Sequence, residues 1–210
     1  DTPGYADFRG EVISGAQAAD GAVIVVAAQA GIEVGTQQMW QIAEDLNLPK
    51  IIVINKMDRE NSDFQGILDS LSETFGRQCV GVHVPIGSEE SFSGLVNLLS
   101  PDPDVPEGME TQVEMAHERL VEVVAESDDA LATKYLEGEE LSTDELVSGL
   151  KAGVKNRTIV PVMLSSATSN IGTTELLDVL IDLIPSPDEL PGPTATDTSS
   201  GDPVNFDWDA

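Results

Sequence analysis

One cysteine, Cys79, stands in a chain of 210 residues. A lone thiol excludes an intramolecular disulfide, and with only His83 and His117 as imidazoles, far apart in the chain, it excludes a Cys/His metal cluster as well. Cys79 is therefore expected to be a small buried apolar residue, and both histidines to be structural or surface residues. Basic residues are scarce: 10 Lys and Arg stand against 38 Asp and Glu, a net charge of −28. That balance disfavours nonspecific binding to a phosphate backbone, and no sequence-specific nucleic-acid contact is expected. No apolar run approaches the roughly 20 residues of a membrane helix, the longest, Ala22 to Ala28, being of strand length. The chain opens on Asp-Thr-Pro-Gly with no basic n-region, so neither a signal peptide nor a membrane contact is expected, and a cytoplasmic protein is the default.

What is present is enough apolar material, 40% of residues, for a sizeable core. Ala22 to Ala28 is a β-branched, continuously apolar run, the pattern of a strand buried on both faces of a parallel sheet. Lys50 to Asn55 repeats it, and Thr158 to Leu164 returns to it much later. Between the first two, Thr36 is a plausible N-cap for a helix through Leu46, ended near Pro49. A strand, a helix and a strand in that order imply a right-handed parallel crossover. Asp7 to Ala19 fits a helix with Phe8, Val12, Ile13 and Ala16 on one face, weakened by Gly10 and Gly15. Ser62 can cap a helix from Asp63 to Phe75, closed by Gly76.

The rhythm then changes. Val80 to Pro85 and Phe92 to Leu98 read as two strands, followed by a proline-rich loop through Pro101, Pro103 and Pro106. Helices follow over Thr111 to Ser127, with Val113, Ala116, Leu120, Val123 and Val124 at helical spacing, then Ala130 to Leu136 and Thr143 to Lys155. Ser142-Thr-Asp-Glu is the start signal of the last of these. Thr173 to Ile184 is a further helix, stopped by Pro185-Ser-Pro187. The expected fold is a doubly wound α/β domain interrupted by an α+β insertion. Its parts are residues 1–77, the insertion over 78–156, the end of the main domain over 157–187, and a disordered tail or linker over 188–210. Between His83 and Leu150 seventeen acidic residues face only Arg119 and Lys134, a net of −15. This is either a solvated surface suited to high salt or a docking face for a basic partner.

Three short motifs sit at the ends of strands, where ligands bind in open α/β sheets. In Asp1-Thr2-Pro3-Gly4 the carboxylate can hold a nucleotide's Mg2+, and the glycine lets its backbone N–H approach a terminal phosphate. Alone this string is weak, since an ordinary turn reads the same. In Asn55-Lys56-Met57-Asp58, directly after Ile51-Ile-Val-Ile54, the Asp58 carboxylate can accept from both the exocyclic amine and the ring N–H of guanine, a pair adenine lacks. Asn55 can bond the base and brace neighbouring loops, and the aliphatic stem of Lys56 can lie over its plane. The bland alternative is a solvated charged turn. Ser165-Ser166-Ala167 follows the next strand, and there backbone N–H groups near Ala167 could meet the guanine carbonyl. The string is common, and its position gives it value.

In that order the three motifs resemble those of the translational GTPases, and the insertion between the second and third makes the chain similar to elongation factor G and its paralogues. Asp7-Phe8, Glu11-Val12, Ala18-Ala-Asp-Gly-Ala22, Pro49, Arg59, Phe92-Ser-Gly-Leu-Val-Asn-Leu98, Lys134-Tyr-Leu-Glu-Gly138 and Leu183-Ile-Pro-Ser-Pro187 carry the likeness over about residues 1 to 190. The resemblance implies a P-loop-NTPase-type fold, GTP/GDP and Mg2+ as ligands, GTP hydrolysis, and the ribosome with its stalk protein as partners, the latter through the acidic insertion. It implies roles for Asp1 in metal binding and for Asp1 to Gly4, Asn55 to Asp58 and Ser165 to Ala167 in nucleotide binding. It also implies strands and a Gly-x-x-x-x-Gly-Lys-Ser/Thr phosphate loop ahead of Asp1. On that reading these 210 residues are a fragment that binds GTP weakly by itself and exposes the edge of the Ala22 to Ala28 strand. One position departs from elongation factor G proper: Tyr5 stands where the family has the His that positions the attacking water. A phenol lacks the imidazole's cationic option, so Tyr5-Ala-Asp-Phe8 looks like the elongation factor G-like paralogues and leaves a second reading open, a nucleotide-dependent binder with little turnover. A third, an acidic interaction domain without nucleotide, follows from the charge alone.

Overall fold

Four β-branched residues in succession, Ile51 to Ile54, favour an extended strand, and they form the buried centre of β2 (Lys50–Asn55). The computed structural model describes residues 1–2, 6–190 and 194–205; Pro3, Gly4, Tyr5 and Trp208 lie outside the described residues. On one side of β2 lies β1 (Ala22–Ala27), in register with Val23 opposite Ile51 and Val25 opposite Val53. On the other side β6 (Val160–Leu164) pairs with β2 and, beyond, with β3 (Cys79–Gly81). Among the described residues the sheet is thus four parallel strands in the order β1-β2-β6-β3. One of its faces packs Ile52, Ile54, Ile24 and Val26 against α2 (Val34–Asp45) and α3 (Phe64–Phe75) through Trp40, Phe64, Ile67 and Leu71. The opposite face packs Ile51 and Val53 against α6 (Thr143–Asn156) and α7 (Thr173–Leu183) through Leu150, Val154, Val179 and Leu183. Helices on both faces of a parallel sheet make the doubly wound α/β fold that the strand patterns predict.

Between β3 and α6 the chain builds a separate antiparallel hairpin, β4 (His83–Ile86) with β5 (Gly94–Asn97), then α4 (Glu110–Glu126) and α5 (Asp129–Leu136). Val113, Leu120, Val123 and Val124 of α4 and Val84 and Val96 of the hairpin join the core on the α6 and α7 face. Among the described residues no helix is long and apolar enough to cross a membrane.

Several local expectations are corrected. The β1 run is not buried on both faces: Val23 is 42% and Val25 61% exposed. Both continue the face of Ile51 and Val53 past the cover of α6 and α7, because β1 is the edge of the sheet. Thr36 is not the cap of α2. Glu33 is, and the two form a reciprocal capping box with Thr36 in the third helical position. Asp63 rather than Ser62 caps α3, accepting from the Gly66 N–H at 3.1 Å, while the Ser62 hydroxyl donates to the Met57 carbonyl. The stretch Val80 to Pro85 is two strands in two sheets, broken at Val82. Residues 7–19 divide into a 3-10 turn, Ala6–Phe8, and α1 (Arg9–Gln17). Toward the end of the chain, where a disordered tail or linker is expected, the described residues include a 3-10 turn at Pro187–Glu189 and a short hairpin, β7 (Thr194–Thr196) with β8 (Pro203–Asn205). Its turn is held by Asp197, which accepts from the N–H groups of Ser199 and Ser200. Ser142 caps α6 as expected, with Glu145 reaching back to its N–H.

Lys50 is the least expected core residue. It is 1% exposed, its ammonium stands 2.7 Å from Glu44 Oε1 and 4.9 Å from the centre of the Trp40 ring, and Trp40 stacks on Phe75 at 4.2 Å. Removing only the anion strands a buried charge, whereas a residue of similar shape without charge leaves nothing to strand. Glu44→Ala is therefore expected to lower stability by about 2 kcal/mol, and Lys50→Met by less than about 1 kcal/mol. Urea melts of both variants check this, and equal losses would contradict it.

Candidate functional site

β2 and β6 are parallel neighbours with Ile54 opposite Leu164, so the segments following them emerge side by side at the carboxyl edge of the sheet. The pairing runs on past the strands: the Ser165 N–H donates to the Ile54 carbonyl at 2.8 Å and the Met57 N–H to the Ser165 carbonyl at 3.1 Å. Asn55 to Asp58 and Ser165 to Ala167, 110 residues apart in the chain, are thereby brought together.

The turn after β2 depends on Lys56, whose φ of 67° lies in the left-handed region and reverses the chain at once. Met57 then turns inward, 1% exposed, into the cluster of Trp40, Ile54 and Phe64. Its side chain anchors the loop from beneath, so any contact of Met57 with a ligand falls to its backbone. Lys56 is exposed and Asp58 half-buried on the rim.

Side chains then lock the two loops together. Asn55 Oδ1 accepts from the Lys56 N–H at 2.8 Å, the Ala167 N–H at 3.1 Å and the Ser165 hydroxyl at 3.2 Å. With these bonds on Oδ1, its Nδ2 is the donor that Asn55 can offer outward. Ser166 donates to Asp58 Oδ1 at 2.6 Å while accepting from the Ser169 N–H at 3.2 Å. Arg59 Nε stands 3.6 Å from the other carboxylate oxygen. The Ser166 hydrogen bond, opposed by partial desolvation and assisted by a backbone N–H and the Arg59 charge, holds the Asp58 carboxyl below the usual carboxylate range. Asp58 is thus ionised, fixed in direction, and an acceptor at neutral pH. A rim that offers a fixed carboxylate, with an amide NH2 beside it, suits a flat heterocycle with adjacent N–H donors, such as guanine.

Beyond Ala167 the chain turns back through a bridge between Ser166 and Ile171, then enters α7 at Gly172. Here glycine is required: φ is 77°, and a Cβ would stand 2.3 Å from the Leu164 carbonyl oxygen. Two supporting contacts could not be read from the sequence. Gln29 donates to the Glu60 carbonyl at 3.0 Å, and Glu89 of the hairpin accepts from the Asn61 N–H at 2.6 Å. Both span gaps at which no periodicity operates.

Asp1 and Thr2 lie elsewhere. Together with Val12, Gly15, Glu33 and Thr36 they line an open groove of about 800 Å³ between α1, the free side of β1 and α2. Pro3, Gly4 and Tyr5 lie outside the described residues. Among the described residues no group of three or more His, Cys, Asp and Glu could hold a metal ion. A Mg2+ at Asp1 would therefore draw most of its ligands from phosphate oxygens and water, as this ion commonly does. The buried Cys79 thiol is pushed up to about 12 by desolvation and stays protonated, and His117 is exposed on α4.

Comparison with known proteins bears on the family and the fold. The model of the family described as the elongation factor Tu GTP binding domain matches residues 1–186. A crystal structure of a protein from Thermus thermophilus is similar with a TM-score of 0.81 and 32% sequence identity, covering 90% of this chain. This chain spans 30% of the length of that protein.

Proposed function

This chain belongs to the elongation factor Tu GTP-binding domain family, a family of translational GTPases that bind guanine nucleotides with Mg2+, and on that premise we propose that it serves GTP binding and hydrolysis in a ribosome-associated factor similar to elongation factor G. One observation carries the assignment of the base site: Asn55, Asp58, Ser166 and Ala167 are tied into one constellation at the carboxyl ends of β2 and β6. In this reading Asp58 accepts from the amine and ring N–H of guanine, Asn55 Nδ2 donates to the base, the Lys56 stem covers its plane, and backbone N–H groups at Ala167 face its carbonyl. Ser165 and Ser166 are positioning residues, the first for Asn55 and the second for Asp58. Asp1, Thr2, Pro3 and Gly4 serve the metal and phosphate end. Residues 1–77 and 157–187 form the nucleotide-binding domain, and the segment between them is an insertion that presents an acidic surface to the stalk protein. The bound nucleotide supplies the electrophilic γ-phosphorus and Mg2+ neutralises phosphate charge; the chain's own work is to hold and orient.

A specific residue favours a second reading. Tyr5 occupies the place where the resemblance to elongation factor G calls for His. A phenol with an ordinary pKa near 10 can hydrogen-bond a water but is a poor proton acceptor at neutral pH. The second reading is a nucleotide-dependent ribosome binder with slow turnover. The full-length protein separates the two. Ribosome-stimulated phosphate release is measured for the native protein and for Tyr5→His. Turnover in the native protein supports the hydrolase. Release that appears only with His, on normal GTP affinity, supports the binder. Loss of guanine binding altogether would overturn both.

A further inference from the structure

The loop that carries Asp58 is held from outside its own domain. Asn61, three residues on, sits at a φ of 62°, and Glu89, at the far end of the β4–β5 hairpin, sits at 52°. Asparagine visits this left-handed region readily, but glutamate does so only where its surroundings hold it. They face each other: Glu89 Oε1 accepts the Asn61 N–H at 2.6 Å. The hairpin end is itself rigid. Ser88 and Ser91 bond reciprocally around Glu89, and at Gly87, where φ is 77°, a Cβ would stand 2.1 Å from the Ser91 carbonyl. Behind this contact Phe92 is buried in the same apolar cluster as Met57 and Phe64, the anchors of the Asp58 loop. Leu95 packs against that cluster beside Ile171 and comes within 3.1 Å of where a Cβ on Gly172 would stand, behind the Ser165 to Ala167 loop. One end of the hairpin thus braces both loops of the candidate base site, and Glu89 supplies its one charged contact to the Asp58 loop among the described residues.

From this geometry we infer that Glu89 is a positioning residue for guanine recognition, which slows nucleotide release by fixing the loop from Asp58 to Asn61. The inference rests on the base site being Asn55 to Asp58. Glu89 touches no base; it accepts a backbone N–H that otherwise turns to water, and the loop then samples conformations in which Asp58 is misdirected. A hydrogen-bonding acceptor at position 89 is the requirement, and charge strengthens it.

The test uses full-length protein and a fluorescent GDP analogue, with release followed by chase with unlabelled GDP. Glu89→Ala is expected to release the analogue about fivefold faster at an unchanged melting temperature, and Glu89→Gln, whose amide oxygen still accepts, to stay within about twofold of the native rate. Native release from Glu89→Ala overturns the inference. So do equal acceleration by Ala and Gln, and a lowered melting temperature with unchanged release. Asp58→Asn is run alongside as a check on the base site. If it fails to exchange guanine for xanthine preference, the base assignment is wrong and the inference falls with it. If it succeeds and the Glu89 variants behave as native, only the role of Glu89 is wrong.

Discussion

Replacing Asp58 with asparagine is expected to weaken GDP binding by the full-length protein by about two to three orders of magnitude and to turn its preference toward xanthosine diphosphate. The argument is one of donors and acceptors. Guanine presents an amine and a ring N–H on one edge, and both need acceptors. The asparagine amide keeps one acceptor and replaces the other with a donor, leaving a buried N–H facing an NH2. Xanthine carries a carbonyl where guanine carries the amine, so the same asparagine can satisfy it. The fixed direction of Asp58 makes the effect large. Ser166 holds Oδ1 at 2.6 Å and is itself held by the Ser169 N–H, so the side chain cannot swing to rescue the mismatch. Competition of GDP and xanthosine diphosphate for a fluorescent GDP analogue measures the exchange. A uniform loss for both nucleotides would mean that Asp58 supports the loop without reading the base.

The second large effect concerns His83. It is 2% exposed, and among the described residues neither ring nitrogen has a hydrogen-bond partner, although it lines the wall of a cavity of about 160 Å³ with Asn97, Glu175, Asp178 and Asp182. Burial lowers its pKa from 6.5 to about 4, so the folded protein keeps it neutral. The unfolded chain takes up a proton near pH 6.5 and the folded chain only near pH 4. Stability is therefore complete above pH 6.5 and falls as acid is added, by about 3 kcal/mol at pH 4. Glu145 titrates in a lower window. Glu145, held down to about 2 by Lys134 and by Ser142 of its capping box, contributes stability above its ordinary 4.5 and loses it only as pH falls toward 2. His83→Leu removes the upper window and two orphaned polar atoms, and is expected to be more stable than the native protein by about 1–3 kcal/mol at pH 7. Urea melts at pH 7.5, 5.5 and 4.5 decide it. Parallel loss of stability in both proteins across that range would show that other groups carry the acid sensitivity.

Much of the sheet was legible because β-branched runs have few alternatives. Ile51 to Ile54 announces a strand by composition alone, and Val160 to Leu164 reads as a buried strand by its apolar character, although Pro161 by itself argues against a central position. The β1 run has the same composition, and there the reading fails, because a sequence states how apolar a strand is and not which helices lie over it. Caps failed for a different reason. Glu33 and Thr36 make a capping box in the reverse of the usual order, and Ser62 and Asp63 offer the same chemistry one residue apart. The split between β3 and β4 was invisible because every residue from Cys79 to Val84 is buried, whichever sheet it joins. At the site, the chemistry of Asn55 and Asp58 could be read from type and position. The Ser166 bond that aims Asp58, the inward turn of Met57 and the reach of Glu89 to Asn61 could not. Each depends on segments that meet only after the sheet has formed, and Lys50 escaped notice for the same reason, since a basic residue at a strand end ordinarily reaches water.

The pairing of β2 with β6 also sets the order in which this protein can become competent while it is being made. Asp58 leaves the ribosome 108 residues before the serine that aims it. At about 5–20 residues per second, the first loop waits about 5 to 20 s for the second. Until β6 arrives, β2 has β1 on one side and an unpaired edge on the other, and β3 has no partner at all. The apolar face of Ile51 and Val53 stays without α6 for most of that interval and without α7 until after it. The nascent chain thus spends that interval with an apolar strand half-paired, while the segment being made carries a high negative charge that disfavours self-association.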